Sequence, residues 1–321
     1  MLPRQSSPQA WSDRLSWLYF LQQCINAVQV SCFYALLAVA YVLVHGVADR
    51  INLAFGGIAM WGAYLTVGGV AAITASWDFP LAVILFAIPY AILGTAALGS
   101  VIGRTVVVPL AGKARLAMLI ATIGLALVLE EAMRIANNSK DLWLKPILTG
   151  TLIEFPDPAF SIRISIIQAV VFGAAFLLAV LLALVVRWHR FGRIWRACSQ
   201  DLKMVGLLGV DTRPVLIGTM VIGSAYAAAA GVMIAIYYGN VAFWMGTVLG
   251  LKALYVAVIG GLNSLGGAIA GAFVLGFFEA MWSGYLAGDY RDVASFLALT
   301  ALLIARPAGL FAPRWQQQER V

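Results

Sequence analysis

Charged side chains inside long apolar runs are the residues of this chain that could do chemistry. Lys252 and Glu279 each lie within such a run, and Glu130 and Glu131 lie near the end of another. A lone charge in hydrocarbon is costly, so each group should face a partner, a cavity or an aqueous boundary. Lys252 and Glu279 could pair across neighbouring helices. A structural ion pair, a lysine that reaches the boundary, and a substrate or proton site all remain open.

Histidines and nucleotide-binding motifs give no sign of catalysis. His45 and His189 are far apart, and neither has a metal-ligand partner at helical spacing. The sequence has no nucleophile elbow and no G-x-x-x-x-G-K-[ST] phosphate loop, and the "GKA" at Gly112 is not one. We therefore expect no catalytic residue, metal or cofactor on this chain. Any nucleotide energy would have to enter through another chain.

The stretch "RIWRACSQDLKMVGLLGVDT" differs from its apolar surroundings. Arg196, Gln200 and Lys203 lie on one side of a helical projection, and Gly209 is a C-terminal stop. An apolar stripe on another side consists of Ile194, Cys198, Leu202, Val205 and Leu208. The pattern predicts one amphipathic helix from Arg193 to Gly209. Such a helix either anchors its loop on the membrane surface or docks into a groove on a partner.

The elements that position these residues are membrane helices. Hydrophobic residues make up 62% and charged residues 11% of the chain, and the mean hydropathy is +0.92. Soluble domains carry roughly a quarter charged residues. The sequence predicts an all-α polytopic membrane protein with about eight to ten transmembrane or re-entrant helices. The apolar segments are 19–45, 52–75, 80–103, 116–135, 165–187, 214–237, 247–262, 264–284 and 293–306.

Loop charges predict the orientation. From Arg187 to Arg213 there are six basic and two acidic residues, whereas the loop at 136–164 has three of each. The loop at 188–213 is therefore expected to be cytoplasmic and the loop at 136–164 external. Nine crossings counted back from an internal C-terminus put the N-terminus outside, whereas Arg4 and Arg14 favour an internal N-terminus, so the sequence leaves its side open. The chain divides into a polar segment at 1–17, a single transmembrane domain at 18–306 and a cytoplasmic tail at 307–321.

Glycines predict close helix packing. Three G-x-x-x-G pairs, Gly99–Gly103, Gly246–Gly250 and Gly267–Gly271, favour contacts inside the chain over a dimer face. The "GGLNSLGG" from Gly260 to Gly267 predicts a broken or re-entrant helix. The net charge of +7 is explained by cytoplasmic loops, and no nucleic-acid partner is expected.

Four stretches resemble permease subunits of ABC importers in the branched-chain amino acid family, of the LivH type. They are "ADRINLAFGGIAMWGAYLTV", "FGRIWRACSQDLKMVGLLGVDT", "LKALYVAVIGGLNSLGGAIAGAFVLGFFE" and "YRDVASFLALTALLIARPAGLFAP". They occur in the family's order and span most of the chain. The resemblance implies a permease fold of the vitamin- and sugar-importer kind and a location in the bacterial inner membrane.

The resemblance also implies partners and a role for the amphipathic helix. Such a helix lies in a cleft of an ATPase subunit and passes its motion to the membrane helices. ATP and magnesium would be held by two ATPase subunits, a LivM-type permease would pair with this chain, and a solute-binding protein would deliver substrate to the external loops. The coupling residues implied are Arg193, Arg196, Gln200, Asp201, Lys203, Gly206 and Gly209.

Departures from the family pattern leave the substrate open. Where that pattern reads INFAHGEFFM this chain reads "INLAFGGIAM", so a histidine and an acid are missing around Gly56 and Gly57, and Asn263 interrupts the family's GGLGS. Branched-chain or other hydrophobic amino acids are the expected substrates, with urea or short amides as the alternative. A secondary transporter and a membrane scaffold or channel subunit are the alternative classes.

Polar or small residues of the first two apolar segments are the candidates for lining the substrate path. They are Asn26, Gln29, Ser31, Asn52 and Gly56. Interhelical hydrogen bonding is the alternative role for each of them.

Overall fold

The computed structural model describes residues 8–74, 83–156, 160–262, 264–286 and 288–306. Residues 1–7, Asn263 and the proposed tail at 307–321 lie outside the described residues. The α-helices are α1 Pro8–Ala48, α2 Phe55–Thr74, α3 Ile88–Ile102, α4 Arg115–Ala136, α5 Ile166–Trp188, α6 Arg190–Gln200, α7 Leu202–Leu207, α8 Arg213–Tyr238, α9 Met245–Gly260, α10 Leu265–Tyr285 and α11 Arg291–Ala305. The π-helical turns Val83–Ala87 and Gly103–Val107 flank α3, the helical turn Val108–Leu110 follows the second, and a 3₁₀ turn Gly288–Tyr290 precedes α11. The strands are β1 Leu142–Trp143, β2 Thr151–Phe155, β3 Ile162–Ser165 and β4 Asn240–Val241.

Seven helical segments among the described residues are long and apolar enough to cross a membrane, and α9 is a shorter apolar helix. The protein is therefore a multi-pass helical membrane protein, as the sequence predicted. Three helices form its centre, since 83% of the span in α1, 67% in α2 and 78% in α8 is buried. By contrast, only 22% of the span in α4 and 17% of the span in α5 is buried, so these helices lie at the outside of the bundle.

Local sequence signals explain where several helices begin and end. Ser165 and Gln168 form a reciprocal capping box at the start of α5. Ser264 caps α10 by accepting a hydrogen bond from the backbone N–H of Gly267 at 3.0 Å. Gly239, at φ +68°, ends α8 in the left-handed conformation that glycine adopts readily. The break predicted within "GGLNSLGG" is therefore the connection between α9 and α10.

Glycines bring the central helices into backbone contact. A Cβ on Gly56 would overlap the backbone of Gly246 and Gly250, which locks α2 against α9. The other two G-x-x-x-G pairs also face neighbours in the same chain: Gly99 faces Ser224 of α8, and Gly271 faces the last turn of α9. The prediction that these pairs serve internal packing is confirmed. Close approach of this kind replaces the hydrophobic force that is missing in lipid.

The two ends of the bundle are chemically distinct. At one end β2 and β3 form an antiparallel hairpin, and β1 pairs antiparallel with β4 through Leu142 and Val241. The start of α1 joins this end, because the Gln22 side chain exchanges two hydrogen bonds with the backbone of Arg163. The far end of α1 reaches the charged stretch, where the Trp195 indole donates to the Leu43 carbonyl at 3.0 Å, and Arg50, just after α1, donates to the Lys113 carbonyl in the turn before α4 at 3.3 Å. The first membrane span thus begins on the side of the 136–164 loop, a point that the sequence left open.

Candidate functional site

The charged stretch forms two helices, α6 and α7, which meet at Asp201. This residue has an extended backbone, with φ −153° and ψ 102°. Its Oδ1 accepts hydrogen bonds from the backbone N–H groups of Lys203 at 2.9 Å and Met204 at 3.0 Å. The prediction of one continuous rod from Arg193 to Gly209 was wrong. An aspartate in this setting caps a new helix more favourably than it continues the preceding one.

Trp195 anchors α6 to the membrane domain. Its side chain is 7% exposed, and its indole Nε1 donates to the Leu43 carbonyl of α1 at 3.0 Å. Cys198, one turn later, is also buried. The apolar stripe was predicted only in part, because Ile194 and Leu208, both assigned to it, are exposed. The indole turns inward because it can satisfy its N–H on a backbone carbonyl while it buries its ring.

Two glycines let α6 fold back against the bundle. A Cβ on Gly192 would collide with the backbone at the end of α5, and one on Gly218 would lie 2.9 Å from the Phe191 ring. His189 fixes the bend, because its Nδ1 accepts a hydrogen bond from the Phe191 backbone N–H at 3.1 Å. Through these contacts α6 is held by α1, α5 and α8 together.

α7 presents an apolar surface away from the bundle. Met204 is 57%, Leu207 82% and Leu208 78% exposed, whereas Val205 on the opposite side is buried. The helix ends as predicted at Gly209, whose φ of +86° allows the backbone N–H of Val210 to reach the Val205 carbonyl at 3.4 Å. All the predicted coupling residues are exposed, and they lie on α6, on α7 and in the segments that join and follow them: Arg193, Arg196, Gln200, Asp201, Lys203, Gly206 and Gly209. An exposed apolar patch rimmed by polar groups is typical of an interaction site.

A second candidate site lies within the bundle, where Lys252 of α9 meets Glu279 of α10. The Lys252 ammonium is 2.8 Å from Glu279 Oε1 and 2.8 Å from Asp292 Oδ1. The side chains of Lys252 and Glu279 are only 3% and 1% exposed. Tyr34 of α1 closes the group, because its hydroxyl accepts from Lys252 at 2.9 Å and donates to Glu279 Oε2 at 2.6 Å. The pair suggested by the sequence is present and is shared with two further helices.

The outer part of this charge network is accessible. Arg291 Nε lies 3.7 Å from Glu279 and 3.4 Å from Asp292, and the side chains of Arg291 and Asp292 are 36% and 40% exposed. The Ser295 hydroxyl of α11 donates a hydrogen bond to Glu279 Oε1 at 3.1 Å. The two positive and two negative side chains of this network give it a net charge of zero. Within the described ranges, no three His, Cys, Asp or Glu side chains are grouped so as to hold a metal ion.

The structure disperses the five path candidates. Asn26 accepts a hydrogen bond from Gln168 at 3.3 Å, which joins α1 to α5. Ser31 bonds to the Ala27 carbonyl, against Gly276 of α10. These contacts belong to interhelical packing.

The remaining candidates lie deeper in the bundle. Asn52 caps the turn before α2, because its Oδ1 accepts a hydrogen bond from the Ala54 N–H at 3.0 Å. Gly56 packs directly against the backbone of α9, which leaves no space beside it. Gln29 is 2% exposed, and its Nε2 makes no hydrogen bond to any described residue. Gln29 alone among the five keeps an unused polar group, and lining the substrate path remains a prediction for all of them.

Sequence reasoning did not find Tyr34, Arg291 or Asp292. The two charges begin α11, where they resemble ordinary residues of a membrane boundary. No periodicity connects them to Lys252, which is 40 positions away from Asp292. Only the tertiary arrangement of α9, α10 and α11 shows that they belong to one cluster.

Comparisons with known proteins agree with this architecture. Residues 24–305 match the family model of the branched-chain amino acid transport system permease component. The chain is 38% identical to the high-affinity branched-chain amino acid transport system permease protein LivH of Salmonella typhimurium, over 92% of this chain and 96% of the relative. LivH of Escherichia coli is 37% identical over the same shares, and BraD of Pseudomonas aeruginosa is 35% identical over 91% and 95%. No solved structure matches this chain. The chain therefore belongs to the branched-chain amino acid transport system permease family.

Proposed function

We propose that this chain is the membrane subunit of an ATP-driven importer that carries branched-chain and other hydrophobic amino acids. Two separate ATPase subunits bind ATP and magnesium, and this chain itself holds no cofactor and catalyses no reaction. A homologous LivM-type permease completes the path, and a solute-binding protein docks on the side of the 136–164 loop. The substrate class follows the names of the relatives, which are high-affinity branched-chain amino acid transport system permease proteins.

The observation that carries the proposal is the pair α6–α7. Its inner side is tied to α1 by Trp195, while its outer side exposes Met204, Leu207 and Leu208. A partner that binds the outer side could displace α1 directly, because α6 is packed against the backbone of α1. A secondary transporter has no use for such an exposed surface on the basic side of the bundle.

The test uses the tagged chain purified with whatever accompanies it. We expect a co-purifying ATPase whose turnover rises when a binding protein loaded with leucine, isoleucine or valine is added. Loading with urea or a short amide should give no stimulation. A chain that emerges without an ATPase, and whose uptake stops with a protonophore while ATP remains, would contradict the proposal and support a secondary transporter.

Charge reversal locates the coupling surface. Arg196→Glu places a carboxylate on the exposed side of α6 and should reduce ATPase recovery or uncouple ATP turnover from uptake. Lys140→Glu makes the same change at an exposed position on the opposite end of the bundle. ATPase recovery should be unchanged in this control. Equal ATPase recovery together with equal uptake per ATP hydrolysed in both variants would show that α6–α7 is not the coupling surface.

A further inference from the structure

The charge network of Lys252, Glu279, Arg291 and Asp292 has a buried base and an accessible rim. Lys252 and Glu279 form the base, and Arg291 and Asp292 form the rim. The network lies toward the same end of the bundle as the 136–164 loop, because α10 ends near Gly284, whose carbonyl accepts from Tyr19 at the start of α1. A solute that enters from that end would meet the rim before it meets the base.

The rim groups retain unused binding capacity. Among the described residues, the hydrogen bonds and ion pairs of Asp292 all use Oδ1, so Oδ2 is available. Arg291 approaches the two carboxylates at 3.4 and 3.7 Å, which is longer than the roughly 2.7–2.9 Å of a good charge-assisted bond. Its guanidinium is thus loosely held, although its fork geometry suits a carboxylate.

The charge balance selects the kind of ligand. Two positive and two negative side chains sum to zero, so a single anion or cation bound at the rim would leave one charge uncompensated next to the buried base, whose side chains are 3% and 1% exposed. A zwitterion adds both signs at once. Its carboxylate fits Arg291 and its ammonium fits Asp292 Oδ2, while Lys252 and Glu279 stay paired behind them.

We propose that Arg291 and Asp292 form the subsite of this chain that holds the α-carboxylate and α-ammonium of an amino acid. The inference rests on the proposed function and deepens it, because an uncharged substrate such as urea or a short amide would engage neither group fully. An aromatic wall lies beside the rim, because Tyr238 interacts with Arg291 and also packs against Phe33 and Tyr237, with ring centroids 6.1 and 5.0 Å apart. This wall suits an apolar side chain.

The test measures binding of radiolabelled leucine to the purified permease complex without the solute-binding protein. Asp292→Asn and Arg291→Gln should each weaken binding by about tenfold or more, because each removes one charge of a paired contact. Asp289→Asn is the matched control, since it makes the same change at an exposed position three residues earlier and outside the network. It should bind leucine as the unaltered complex does.

Competition distinguishes a zwitterion site from a general apolar one. Leucinamide lacks the carboxylate and 4-methylpentanoate lacks the ammonium, so neither should displace leucine from the unaltered complex. Equal displacement by either compound, undiminished binding in Asp292→Asn, or no leucine binding to the unaltered complex would overturn the proposal. If Asp292→Asn does not fold, Arg291→Lys keeps the charge without the fork and should still weaken binding. ATPase recovery, measured on the same samples, reports separately on the proposed function.

Discussion

Gly56 shows how one missing side chain fixes the centre of the bundle. Its Cα lies against the backbone of Gly246 and Gly250, so any Cβ must push α2 and α9 apart. Gly56→Ala should lower the free energy of unfolding by about 1–3 kcal/mol, the usual cost of overpacking. Thermal unfolding in detergent, followed by tryptophan fluorescence, measures the change.

Gly68→Ala is the control on the same helix. Nothing lies within 4 Å of a Cβ placed there, and the residue is exposed. Alanine should therefore be neutral or stabilise α2 by up to about 1 kcal/mol through its helix propensity. Equal losses in both variants would show that the contact between α2 and α9 is not the cause.

Lys252 neutralises Glu279 in a place that water hardly reaches, since the two side chains are 3% and 1% exposed. Lys252→Met leaves Glu279 buried with its nearest cation removed, and removal of one partner of a buried pair typically costs about 3–5 kcal/mol. We expect poor expression and a much lower unfolding temperature.

The matched exposed pair is Arg134 with Glu131, whose side chains are 43% and 54% exposed. Arg134→Met should cost about 1 kcal/mol or less. A similar small loss in Lys252→Met would contradict the role of the network in stability.

Cys198 reports on the anchorage of α6. The side chain is buried beside Trp195, and this burial raises the pKa of the Cys198 thiol above its ordinary value. A smaller fraction of Cys198 is therefore in the reactive thiolate form at neutral pH, and the thiolate forms only at higher pH. In a background without Cys24 and Cys32, maleimide should label Cys198 more slowly than an exposed cysteine made by Leu207→Cys. Trp195→Ala should accelerate the labelling. An unchanged labelling rate would show that Trp195 does not hold α6 against α1.

Single residues were the hardest features to predict from the sequence. Lys252 and Glu279 stood out because a charge inside an apolar run must be compensated. Arg291 and Asp292 did not, because charges at the start of a helix need no special partner. Asn26, Ser31 and Asn52 are polar in the linear pattern, but their contacts depend on neighbours that only the fold supplies.

Among the elements, the break at Asp201 gives α7 a degree of independence from α6. Asp201→Ala removes the acceptor for two backbone N–H groups and should destabilise α7 by about 1 kcal/mol. A helix of six residues has little other local support. We expect ATP hydrolysis to continue while uptake per ATP falls. Transport and ATPase assays in proteoliposomes measure that ratio.

Asp201→Asn keeps a capping oxygen and is the control. It should restore most of the uptake, because asparagine caps helices about as well as aspartate. If the asparagine variant is as uncoupled as the alanine variant, then the charge of Asp201, and not its cap, matters for coupling.

The element bounds were largely predictable because membrane helices are dictated by apolar length. The runs at 165–187 and 214–237 correspond within about one residue to Ile166–Trp188 and Arg213–Tyr238. The amphipathic stretch was less predictable because a helical stripe describes only periodicity. Whether Asp201 continues a helix or caps the next depends on how α6 is held by Trp195, which is a tertiary contact.

At the scale of the whole molecule, the two ends should face opposite sides of the membrane. Trp143 is 73% exposed at the end with the 136–164 loop, and Leu207 is 82% exposed at the basic end. With the native cysteines removed, an impermeant maleimide should label Trp143→Cys in intact spheroplasts. It should label Leu207→Cys only after permeabilisation. The reverse pattern would invert the orientation that the loop charges predict.

The balance of the four charges in the network has an electrical consequence. Movement of one elementary charge across a potential of 100 mV changes the energy by about 2.3 kcal/mol. Because Lys252 and Arg291 offset Glu279 and Asp292, a displacement of α9, α10 and α11 that carries the network as one body transfers no net charge. A zwitterionic cargo adds none. We therefore expect the transport cycle to be electrically silent, so that membrane voltage neither drives nor opposes it.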